Sequence, residues 1–66
     1  MKVRYDSQVD ALYVSLADGD AADSDELQPG IIVDYDAQGN VVGIEILNAS
    51  KRQPPIDVKQ LTLEVA

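Results

Sequence analysis

The chain has 66 residues, with 12 acidic against 5 basic side chains, a formal charge of −7, and neither cysteine nor histidine. That length predicts a single domain, residues 1–66, whose core supplies only about 3–5 kcal/mol. Disulfides, thiolate metal centres and imidazole chemistry are all excluded, and the charge opposes binding to a phosphate backbone.

Met1 to Asp6 alternates, with Val3 and Tyr5 on one side and Lys2, Arg4 and Asp6 on the other, the period of a half-buried strand. Asp6-Ser7-Gln8 is turn chemistry, because short polar side chains hydrogen-bond the nearby backbone. A second strand over Ala11 to Leu16 sets Leu12, Val14 and Leu16 against Ala11, Tyr13 and Ser15 and is expected to pair with the first; Asp18-Gly19-Asp20 ends it. From Ala21 to Gln28 the chain is acidic and reads as an irregular edge strand or a loop. Repulsion among Asp23, Asp25 and Glu26 favours exposure in either case.

Pro29-Gly30 bends the chain into its most regular stretch, Gly30 to Leu47. Ile31, Val33 and Tyr35 oppose Asp34 and Asp36; Val42, Ile44 and Ile46 oppose Gly43 and Glu45. Ala37-Gln38-Gly39-Asn40 lies between them, and Gly39 suits the positive φ of a short hairpin loop. Beyond Leu47, Asn48 is expected to cap a helical turn over Ala49 to Gln53, which Pro54-Pro55 stops. Ile56 to Gln60 suggests a further turn, and Leu61, Leu63 and Val65 alternate with Thr62 and Glu64 as a closing strand. The predicted class is α+β: a mostly antiparallel sheet, a meander of hairpins, with one or two short helical turns near the C-terminus.

The inward sides collect into a core of Val3, Tyr5, Leu12, Val14, Leu16, Ile31, Val33, Tyr35, Val42, Ile44 and Ile46, joined by Leu61, Leu63 and Val65. Tyr13, Ile32, Val41 and Leu47 fall on the opposite side, and four apolar residues on one sheet face suggest a cover. So small a core also favours self-association, with a dimer as the expected state.

In these residues the chain resembles the YuzE-like family of small bacterial and archaeal proteins (DUF2283), a domain of unknown function. The resemblance is carried by Met1-Lys2-Val3-Arg4-Tyr5-Asp6, Asp10-Ala11-Leu12-Tyr13-Val14, Pro29-Gly30-Ile31-Ile32-Val33-Asp34-Tyr35-Asp36, Gly39-Asn40-Val41-Val42-Gly43-Ile44-Glu45-Ile46-Leu47 and Ala49-Ser50-Lys51-Arg52, covering residues 1–52. It implies a compact α+β domain dominated by an antiparallel sheet, and it carries no catalytic residues to transfer. Members are similar to proteins encoded beside small toxin-like partners, which implies an antitoxin-like binding role.

Asp34, Asp36, Gln38, Gly39 and Glu45 fall at the spacing of a calcium-binding EF-hand loop, with Gln38 as the departure. Such a loop needs flanking helices, whereas both flanks here alternate with period two, so a polar hairpin turn is the expected reading. The carboxylates Asp18, Asp20, Asp23, Asp25 and Glu26 read first as a run that faces water, and beyond that suit a docking surface for a basic partner better than a metal. Ser50 has no histidine to activate it, and its neighbour Lys51 is not aimed at it by adjacency alone. No glycine-rich loop precedes a helix to hold phosphate. Tyr5, Tyr13 and Tyr35 could stack on bases, but two of them lie on the core side and the net charge opposes it, so core packing is the expected reading. The expectation is a non-catalytic interaction module without a cofactor, self-associating and binding a basic protein by occlusion, as an antitoxin covers a toxin. Tyr13, Ile32, Val41 and Leu47 would make its apolar contacts. The alternative is a structural homo-oligomer, or a weak calcium binder through Asp34, Asp36, Gln38 and Glu45. No signal-peptide stretch and no span of roughly 20 apolar residues is present, so no membrane partner and a cytoplasmic location are expected.

Overall fold

Five strands form in a computed structural model that describes every residue, Met1–Ala66: β1 (Lys2–Asp6), β2 (Ala11–Ser15), β3 (Asp23–Gln28), β4 (Ile31–Tyr35) and β5 (Val41–Leu47). All are antiparallel neighbours in one sheet of order β1-β2-β5-β4-β3. The order departs from the expected meander, because β2 and β3 follow each other in sequence but not in the sheet. β5, the longest strand, takes the centre, where both of its edges are paired. The acidic stretch whose state the sequence leaves open is the outer strand β3, with all six residues exposed.

Directly opposed residues of an antiparallel pair share a face. One face therefore carries the rows Val3–Val14–Ile44–Val33 and Tyr5–Leu12–Ile46–Ile31. The other carries Arg4–Tyr13–Glu45–Ile32 and Lys2–Ser15–Gly43–Asp34. Each turn has its own chemistry. Asp6 Oδ1 accepts from the Gln8 amide at 3.0 Å in the first. Pro29-Gly30 makes the two-residue link between Gln28 and Ile31, with Gly30 at φ +84° as a type II turn requires. A register shift between Glu26 and Gln28 leaves Leu27 unpaired and exposed. A second shift, in the β4–β5 pair, sets Val41 rather than Val42 opposite Tyr35.

The fold is all-β, and the expected helical turns are absent. Asn48 sits at φ +53°, which is not the extended conformation of a helix cap. Its carbonyl accepts from the Lys51 and Arg52 amides at 3.0 and 2.9 Å, closing one turn. Pro54 and Pro55 have no amide proton to continue it. Around Asp57 the carboxylate accepts from the Lys59 amide at 3.0 Å and the carbonyl from the Gln60 amide at 3.4 Å, an isolated turn that does not extend into a helix. The closing strand does not form either: Leu61, Leu63 and Val65 pair with nothing and are 75–87% exposed. An edge strand gains ladder bonds on one side only, and these residues sit at the chain end, where the entropy of ordering is least offset. Leu16 also lies outside the core, beyond the end of β2.

No large side chain is fully buried, and only five of the 66 residues are buried at all. A single layer of sheet explains this, because no second layer packs on it. The radius of gyration, 12.5 Å, exceeds the roughly 10.8 Å of a compact chain of this length. No helix is long and apolar enough to cross a membrane.

Candidate functional site

Three polar constructions stand on this sheet. The first joins residues forty apart in sequence. Ser50 donates to Asp10 twice, from its amide to Oδ1 at 3.1 Å and from its hydroxyl to Oδ2 at 2.9 Å. The Tyr5 hydroxyl donates to Asp10 Oδ1 at 2.7 Å. Asp10 itself sits at φ +54°, and its carbonyl accepts from the Ala49 amide at 3.0 Å. The Tyr5 hydrogen bond, then the Ser50 bonds and the Lys51 charge, hold the Asp10 carboxyl below its ordinary value despite partial desolvation. The same bond with Asp10 pushes the Tyr5 phenol up, so it stays neutral. A carboxylate so engaged is a weak base, and Ser50 gives its proton to it as a hydrogen bond only. The chemistry is that of a clamp between the first hairpin and the chain beyond β5.

The second construction is the β4–β5 turn. Asp36 Oδ1 accepts from the amides of Gln38 at 2.9 Å and Asn40 at 2.8 Å, while Oδ2 accepts from the Asn40 side chain at 3.1 Å. These bonds, the Asn40 backbone foremost, hold the Asp36 carboxyl below its ordinary value. Its oxygens are thus occupied inside the turn. Asp34, two residues back, is 7% exposed on the Tyr13 face, in register with Gly43, while Glu45 is in register with Tyr13 and Ile32. Gln38 is exposed in the turn. The EF-hand spacing therefore does not become an EF-hand geometry, and no three acidic side chains gather in a metal-ligating group.

A pH prediction follows from the Asp36 turn. A carboxyl lowered by folding contributes stability above its unfolded value, and that contribution is lost as pH falls through the folded value. Asp36→Asn keeps the shape and removes the charge, so wild type should melt higher than this variant at pH 7. The gap should close as pH falls below about 4. Paired melting curves from pH 7 downward check this, and a gap that stays constant would show that ionisation of Asp36 is not its source.

The third is the face of Tyr13. Its ring lies over Gly43, so that a Cβ there would stand 2.7 Å from Tyr13 Cζ and 3.3 Å from Cε2. Burial pushes the phenol above its ordinary value, and the Asp34 and Glu45 carboxylates push the same way. Of the four residues expected to make apolar contacts, Tyr13 and Ile32 are half-buried in one row with Glu45 between them. Leu47 pairs with Ala11 at the end of that face and is 37% exposed. Val41 leaves the set: the register shift pairs it with Tyr35, on the side of the apolar rows. The acidic residues are more unified. Asp23, Asp25 and Glu26 all lie on exposed β3, whose outer edge has no neighbour, and Asp18 and Asp20 lie in the exposed loop that leads to it.

The alignment of these elements with a family model decides membership. The model matches residues 2–50, three quarters of the chain. The chain belongs to the DUF2283 family, described as protein of unknown function. The DUF2283 segment has a physical meaning: it begins with β1 and ends at Ser50, so it contains the whole sheet and both sides of the Asp10–Ser50 clamp. Residues beyond Ser50 lie outside it. No curated protein and no solved structure matches the chain.

Sequence reasoning missed the clamp, because nothing local marks Asp10 and Ser50 as partners. It also missed the Tyr13–Gly43 contact. A glycine inside a strand pattern signals close approach of another group, and that signal was present at Gly43.

Proposed function

We propose that this DUF2283 domain is a non-catalytic interaction module that docks a basic protein surface along β3 and acts by covering it, as an antitoxin covers a toxin. The observation that carries this is the outer strand Asp23–Gln28, fully exposed, open along one edge, and bearing three carboxylates in six residues. An open edge offers unpaired backbone groups to an added strand. The same carboxylates repel a second β3, so the edge selects against its own kind and for a cationic partner. Acidic residues in the preceding loop add to the field that steers such a partner inward.

The test is co-expression with the product of the adjacent reading frame. A stoichiometric complex is expected, lost in the triple variant Asp23→Lys, Asp25→Lys, Glu26→Lys and weakened steeply by salt. The partner's own activity should be suppressed in the complex. A complex that survives the charge reversal would place the contact elsewhere, and failure to form one would remove the basis for an occluding role.

A further inference from the structure

The acidic edge leaves the apolar side of the sheet unused. Its two rows hold no charged side chain across β1, β2, β5 and β4. The segment after β5 reaches only one corner, where Ile56, Val58 and Leu61 line a groove with Val3, Tyr5 and Leu12. Val14, Ile31, Ile44 and Ile46 take no part in that groove and are half-buried. Leu61 lines the groove, and Leu63 and Val65 beyond it are exposed.

Area says how much is missing. The chain exposes 5216 Å². A compact monomer of 7.1 kDa exposes about 4,100 Å² by the usual scaling with mass. The surplus of about 1,100 Å² is more than the roughly 800 Å² that each partner contributes to a standard interface. A one-layer sheet and an exposed apolar tail both contribute to it.

We propose that this face is a homodimer interface: a second copy of the chain stacks its apolar sheet face on the first, about a two-fold axis, giving a sandwich of two sheets. Two layers about 10 Å apart are the ordinary way for one-sided sheets to bury their apolar rows. Charge selects the axis. An axis across the strands stacks β3 on β3 and brings Asp23 and Asp25, in register with Tyr35 and Val33, against their copies. An axis along the strands centres β5 on β5 and sets each β3 over the partner's β1, so that Asp23 and Asp25 do not meet their own copies. The second arrangement keeps the outer backbone edge of each β3 open, and the dimer does not rest on the docking role proposed above.

Sedimentation equilibrium of the wild-type chain, from about 1 to about 500 µM, tests it. A species of twice 7.1 kDa is expected, and a monomer throughout the range overturns the proposal. Ile44→Lys places a charge at the centre of the face and should weaken the dimer about thirty-fold or more, with the β-sheet circular dichroism retained. Val14→Lys, in the same row on β2, should do the same and stands in if the first variant loses its sheet. Ile32→Lys, the matching change on the Tyr13 face, should leave the dimer intact. A folded Ile44→Lys or Val14→Lys chain that dimerises as tightly as wild type overturns the proposal, as does dissociation by Ile32→Lys alone. A wild-type monomer that still binds its basic partner would leave the reading of β3 untouched.

Discussion

Replacing Gly43 by alanine is expected to destabilise the protein by about 1–3 kcal/mol, and by valine more, although both residues suit a central strand better than glycine. The reason is steric. A Cβ at this position would lie 2.7 Å from Tyr13 Cζ, so the ring must lift off the sheet. Lifting it exposes the phenol and uncovers Asp34, one of the few buried residues. A core this small rarely supplies more than about 3–5 kcal/mol, so the change removes a large part of the margin. The discriminating measurement is a double-mutant cycle in urea at fixed protein concentration. With Tyr13→Ala already present, Gly43→Ala should cost less than about 0.5 kcal/mol, or become favourable through β-propensity. An undiminished cost would place the strain in the backbone of β5.

Ala49→Leu is the second large effect, at about 1–3 kcal/mol. Ala49 has no exposed surface. Its amide donates to the Asp10 carbonyl and its own carbonyl accepts from the Ile56 amide, both at 3.0 Å. It therefore ties the first hairpin, the end of β5 and the covering segment together. A leucine has no room there and must push apart either the Asp10–Ser50 clamp or the segment that carries Ile56 and Val58. The urea midpoint should fall with little change in slope, and hydrogen exchange at the Ser50 and Ile56 amides should speed up more than at β4. Equal acceleration everywhere would mean that the whole sheet, rather than this junction, had loosened.

The two substitutions lie at positions with very different legibility. Every strand in the sheet was readable from local alternation or, for residues 23–28, as one of two stated options. The β4–β5 hairpin and Gly39's positive φ follow from the residues themselves. Asn48 resembles a helix cap in sequence, but its φ of +53° is not that of a cap, and no helix follows Leu47. Leu61, Leu63 and Val65 alternate correctly for a strand, yet alternation without a partner edge forms no ladder. The same holds for the EF-hand spacing: Asp36 is drawn into its own turn by backbone amides before any ion competes.

Alone, the residue pattern determined that this is a small acidic sheet protein with no thiol or imidazole chemistry, and which side chains share a side within each strand. That information is local, because the pleat assigns faces two residues at a time. Strand order, the placing of β5 between β2 and β4, the Asp10–Ser50 clamp and the seating of Tyr13 on Gly43 were decided only in three dimensions. Each joins residues far apart in the chain, and their pairing is settled by which edges and faces can meet at once. The half-covered apolar face belongs to that same level: local alternation creates it, but only the tertiary arrangement leaves it without a second layer.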